Sequence, residues 1–92
     1  MAKGNTITFE CPLPNPDDLG KEHMTRDLGD DYSEYVVKPD GALWRVYDDL
    51  DPTPIRFHFT GIVETQGAVD YRAEFRDGIL IGRVEVIGGT PD

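Results

Sequence analysis

Val69-Asp70-Tyr71-Arg72-Ala73-Glu74-Phe75-Arg76-Asp77-Gly78 decides the fold class. Val69, Tyr71, Ala73 and Phe75 alternate with four charged residues, which is the signature of a strand with one dry and one wet face. Asp77-Gly78 then supplies a two-residue hairpin turn. Ile79 to Ile87 follows as the returning strand, bent near Gly82 because glycine inside a strand marks a bulge or bend.

Working outward, Ile55, Phe57 and Phe59 alternate with Arg56, His58 and Thr60, and Ile62 and Val63 continue the strand past Gly61. Phe57, Phe59, Tyr71 and Phe75 are therefore expected in the core. Ala42 to Tyr47 pairs with Tyr32 to Lys38 across a Pro39-Asp40-Gly41 turn, where Pro fixes φ and Gly accepts a positive φ. Asn5 to Glu10 reads as a short half-buried strand. Between these elements, Pro12, Pro14 and Pro16 stop regular structure. Asn15 and Pro16 then suit the cap and first position of a single helical turn over Asp17 to Glu22, its length limited by Gly20. Met24 to Leu28 is ambiguous. The count is about six strands in a single 92-residue domain. The expected fold is all-β or mainly β: one small antiparallel meander, strongly curved or rolled like a barrel, since a flat sheet would leave one apolar face open.

Charge is the strongest compositional signal. Eighteen acids against nine bases give −9. Residues 1–51 hold twelve acids and five bases, a net −7, so an electrostatic face is expected from the first half. Direct nucleic-acid binding through phosphate needs a basic surface and is disfavoured. Anionic membranes are disfavoured for the same reason. A basic protein partner is favoured, since opposite potentials speed encounter; against this stands the plainer reading that the charge only keeps a small domain soluble. The segment Met1 to Thr6 lacks an apolar signal stretch, no run reaches the roughly 18 apolar residues of a membrane span, and one cysteine permits no internal disulfide. The expected compartment is the cytoplasm.

No catalytic constellation is legible. His23 and His58 stand far apart with no metal-ligand spacing, and read as surface histidines. Cys11 has no activating neighbour and reads as a half-buried structural thiol. Asp27, Asp30, Asp31 and Glu34, and again Asp48, Asp49 and Asp51, cluster without the pattern of a calcium loop. No metal, cofactor or catalytic residue is therefore expected. Trp44 and Tyr47 share a strand with Leu43 and Val46, so both of its faces are apolar. One face should enter the core and the other should lie under the proline-rich loop or act as an exposed anchor, the loop being favoured.

Thr25-Arg26-Asp27-Leu28, then Tyr35-Val36-Val37-Lys38-Pro39-Asp40-Gly41-Ala42-Leu43-Trp44, and the later hairpin with its Asp77-Gly78 turn, resemble a loose group of small uncharacterised bacterial and prophage proteins. In that group a T-[KR]-D-L stretch precedes a Y-x-[IV]-x-x-D-G-x-L-W hairpin. The resemblance covers roughly residues 12–87 and implies a bacterial or phage setting and a β-rich fold, with no activity or site residue to carry over.

The leading functional expectation is a non-enzymatic, acidic protein-binding module engaging a basic partner, as a phage-type inhibitor with DNA-like charge or an immunity-type protein would. Its candidate contact residues are Asp30, Asp31, Asp48, Asp49, Asp51, Trp44 and Tyr47. The alternatives are a small enzyme or small-ligand or metal-binding β-roll using its carboxylates, and a structural subunit of an assembly.

Overall fold

The computed structural model describes residues 5–28, 33–48, 53–67 and 69–89. Among them are eight strands: β1 (Asn5–Phe9), β2 (Glu22–Thr25), β3 (Ser33–Val37), β4 (Leu43–Asp48), β5 (Ile55–Arg56), β6 (Gly61–Gln66), β7 (Val69–Arg76) and β8 (Ile79–Gly89). They form one mixed sheet in the order β5-β4-β3-β1-β2-β6-β7-β8. The sheet is open. Its two ends approach at an isolated bridge between Ala42 and Ile79, where the Leu80 amide also donates to the Gly41 carbonyl.

Mainly β is the class observed, but eight strands replace the expected six and the meander is only partial. Three antiparallel neighbours in sequence, β6 to β8, behave as expected. At the other end β1 inserts between β2 and β3, pairing antiparallel with β2 and parallel with β3. The physical cause lies in the connections. β1 and β2 are direct neighbours joined by twelve residues, and the seven residues between β2 and β3 are long enough for the chain to step over β1, roughly 10 Å at two strand spacings. Leu28 anchors this crossing. It is buried, and its carbonyl accepts from the Tyr35 hydroxyl at 3.4 Å.

The inner face carries the core: Ile7 and Phe9 from β1, Tyr35 and Val37 from β3, Leu43 from β4, Val63 from β6, Tyr71, Ala73 and Phe75 from β7, and Val84 from β8. Every second residue of β1, β3 and β7 contributes, which is the pleat expressed as burial. Cys11 is also buried, more deeply than the sequence suggested, and burial pushes its thiol pKa up. One end of the inner face is polar. There the Asn5 side chain accepts from the Ser33 amide at 2.9 Å, Thr25 donates to the Glu64 carbonyl, and Thr65 accepts from the Tyr71 amide.

The alternating run Ile55 to Thr60 is not one strand. Only Ile55–Arg56 pair with β4, and the chain then leaves the ladder. The Phe57 amide donates to Leu43, and that of Phe59 folds back onto the Phe57 carbonyl. Phe57 and Phe59 are partly buried lids on the core, whereas Tyr71 and Phe75 are fully inside it. An aromatic chain, Tyr35–Phe57–Phe59–Phe75, joins the two ends of the sheet, with centroids 5.0, 6.4 and 6.5 Å apart. Gly78 permits this closure. Its φ is +75°, and a Cβ there would lie 2.4 Å from the Phe57 carbonyl oxygen. With Asp77 also at positive φ, the turn is the type I′ that Asp-Gly signals.

Candidate functional site

Two places gather chemistry-bearing side chains. The first is the open end of the β3–β4 hairpin. Its strands pair Val37 with Leu43, Val36 with Trp44 and Tyr35 with Arg45; then a bulge shifts the register so that Glu34 faces Tyr47 and Ser33 faces Asp48. Two rows of outward residues cross the sheet here. One runs Arg56, Trp44, Val36, Thr8, Glu22, and the other Tyr47, Glu34, Thr6, Met24, Gln66. Trp44 is half-buried, while Tyr47 and Met24 are exposed. The outer face thus mixes large apolar groups with Glu22 and Glu34. Asp30, Asp31, Asp49 and Asp51 lie outside the described residues, and Asp48 is described by its backbone alone. The strand ends that carry these two acidic stretches, Ser33 and Asp48, are direct partners.

The proline-rich loop lies beside β8. Pro12, Leu13 and Pro14 line a groove of about 440 Å³ with Leu80, Gly82, Arg83 and Val84 of β8, and Leu13 packs on the core.

The second place is a cleft of about 270 Å³ whose walls include Asp18, Lys21, Glu22, His23, Met24 and Gln66. Asp18 comes from a 3-10 turn over Pro16–Asp18, capped as the sequence foretold: the Asp17 amide donates to the Asn15 side chain at 3.1 Å. The Tyr71 hydroxyl donates to Asp18 Oδ2 at 2.5 Å, across 53 positions of sequence. Burial, reinforced by this bond and by the Asp18 charge, pushes the Tyr71 pKa up to about 12. The phenol therefore stays a donor at neutral pH. His23 does not behave as a surface histidine. It sits on the inward register position opposite Ile7, its ring 5.8 Å from Phe9 and 5.4 Å from Tyr71, with Nε2 buried and unpartnered. Sequence reading missed this trio because its members come from the turn, β2 and β7, and no local spacing links them.

His58 is the exposed histidine expected, 3.0 Å from Asp77. Among the described residues no group of three or more His, Cys, Asp or Glu side chains is placed to hold a metal ion. No helix among them is long and apolar enough to cross a membrane. Behind the cleft, the buried Tyr71 hydroxyl donates to Asp18 on its wall. The arrangement can bind and brace. Comparison of the chain with protein-family models, curated proteins and solved structures finds no match.

Proposed function

We propose that this chain is a non-enzymatic, acidic protein-binding domain that engages a basic protein partner through the open end of the β3–β4 hairpin. Its contact residues are Asp30, Asp31, Asp48, Asp49 and Asp51, with Trp44 and Tyr47 as apolar anchors. The observation that carries the reading is the pairing of Ser33 with Asp48, from which both acidic stretches depart, in the half of the chain with net charge −7. Charge at such a corner raises the encounter rate, and a neighbouring tryptophan and tyrosine supply the desolvated contact that charge alone does not. An inhibitor presenting DNA-like charge and an immunity-type partner of a basic toxin are both versions of this reading.

The experiment is affinity capture from a bacterial or phage-infected lysate, with mass spectrometry. Stopped-flow association of the captured partner with wild type and with a five-site Asp→Asn variant at 30, 31, 48, 49 and 51 follows. The expected result is slower association and a flatter salt dependence for the variant. Unchanged rates and an unchanged salt slope would overturn the electrostatic reading.

A second reading, a small polar ligand in the Asp18–His23 cleft, is favoured by the unpartnered His23 Nε2. Chemical-shift changes at His23 on screening small polar compounds test it, and none would be expected if the protein-binding reading alone holds.

A further inference from the structure

β8 is the last strand of the sheet and, at eleven residues, the longest of those described. Its far side is occupied only at its start, by the Ala42–Ile79 bridge and the Leu80–Gly41 hydrogen bond. Past that point no strand pairs with it among the described residues. Long exposed edges template pairing with another chain, and proteins commonly blunt them with charge or bulges. This edge carries Ile79, Ile81, Val86 and Ile87, each between 38% and 45% exposed, interrupted by Arg83 and Glu85 and by a bulge at Gly82 (φ +70°), where residues 82–84 stand opposite Ala73 of β7.

The order of these residues is self-complementary. In an antiparallel pair with a two-fold axis at Val84, Arg83 faces Glu85 of the second copy, Glu85 faces its Arg83, and Ile81 faces its Ile87. Every charge on the strand meets its opposite and the outer isoleucines meet each other. The inner row matches too. Gly82 would face Val86 of the second copy. Open space lies where a Gly82 side chain would stand, and Gly82 lines the 440 Å³ groove floored by Leu80 and Val84. Val86 lies on the inner register position opposite Tyr71 and is 45% exposed, an apolar knob with nowhere to go in one copy. Overall charge would oppose a dimer at −9 per copy, but β7 and β8 together hold three arginines (72, 76, 83) against three acids (Asp70, Glu74, Glu85). This is the electrically neutral part of the molecule.

We infer that β8 is a homodimer interface in which residues 81–87 of two copies pair antiparallel about Val84, with Val86 of each seated in the Pro12–Val84 groove of the other. The surface is distinct from the β3–β4 corner proposed for the basic partner and stands or falls separately.

Sedimentation velocity and light scattering on the full chain test it. Wild type at about 100 μM is expected to be a dimer. Arg83→Glu and Glu85→Arg should each raise the dissociation constant about tenfold or more, because each places two like-charged pairs across the axis. The double variant R83E/E85R rebuilds both pairs in reverse and should restore the dimer. Val86→Ser should weaken it without altering the far-UV circular dichroism, since Val86 is not a core residue. Should a charge variant fold poorly, hydrogen exchange of wild type decides: amides 81–87 should gain protection as concentration rises. A wild type that stays monomeric, single variants that dimerise unchanged, a double variant no better than the singles, or concentration-independent exchange at 81–87 would each overturn the inference.

Discussion

Tyr71 shows how one side chain can tie a loop to a core. Its ring is fully buried and its hydroxyl reaches Asp18 on the 3-10 turn. Tyr71→Phe keeps the ring and removes the bond; the expected loss is about 1–2 kcal/mol, read from urea denaturation. The pH dependence has a definite sign. The folded pKa, about 12, lies above the ordinary value of 10.0. Between those values the unfolded chain loses a proton that the folded chain keeps. Stability from this group is therefore complete below pH 10 and falls as pH rises toward 12. Tyrosinate absorbance should show a late-titrating component that Tyr71→Phe removes. Gly78 is a second residue where one atom matters. Gly78→Ala meets the Phe57 carbonyl at 2.4 Å and holds an unfavourable φ, so a loss of about 2 kcal/mol or more in the urea midpoint analysis is expected.

At the scale of elements, burial separates aromatics that the sequence ranked together. Phe75→Ala on β7 empties a fully buried site and should cost about 3–5 kcal/mol. Phe57→Ala removes a lid that already touches solvent and should cost visibly less, about 1–3 kcal/mol. Equal losses in parallel urea titrations would mean that Phe57 is as buried as Phe75. The hairpins were legible because Asp77-Gly78 and Pro39-Asp40-Gly41 are turn chemistry flanked by period-two apolar residues. β2 was not. Its inward residues are His23 and Thr25, neither of them an apolar marker, and its outward ones include Met24. Its pattern runs opposite to the rule by which strands are read. The Ile55 run failed the other way. It alternates well, yet the chain turns out of the ladder after Arg56 because the close approach of Gly78 to Phe57 occupies that place.

For the whole molecule, the uneven charge governs solution behaviour. The five-site Asp→Asn variant at 30, 31, 48, 49 and 51 lowers the net charge from −9 to −4. Relieved self-repulsion should leave its melting temperature at or above that of wild type, by differential scanning calorimetry, while its association with a basic partner slows. A clearly lower melting temperature would mean that these carboxylates support the fold instead of a contact. The patch of half-buried Trp44 with exposed Tyr47 and Met24 would then be the stronger candidate for recognition.

The sequence by itself determined the class of fold, two of the turns, the capped 3-10 turn and the location of the charge. All of these depend on residues within a few positions of one another, where the pleat, φ and side-chain caps act directly. Tertiary structure alone decided that β1 divides β2 from β3, that Tyr71 meets Asp18 and His23, that Ser33 faces Asp48, and that β8 is left as an edge. Those outcomes depend on which distant segments bury each other's apolar faces. Burial is non-directional, so many strand orders satisfy the same alternation, and only the assembled core selects among them.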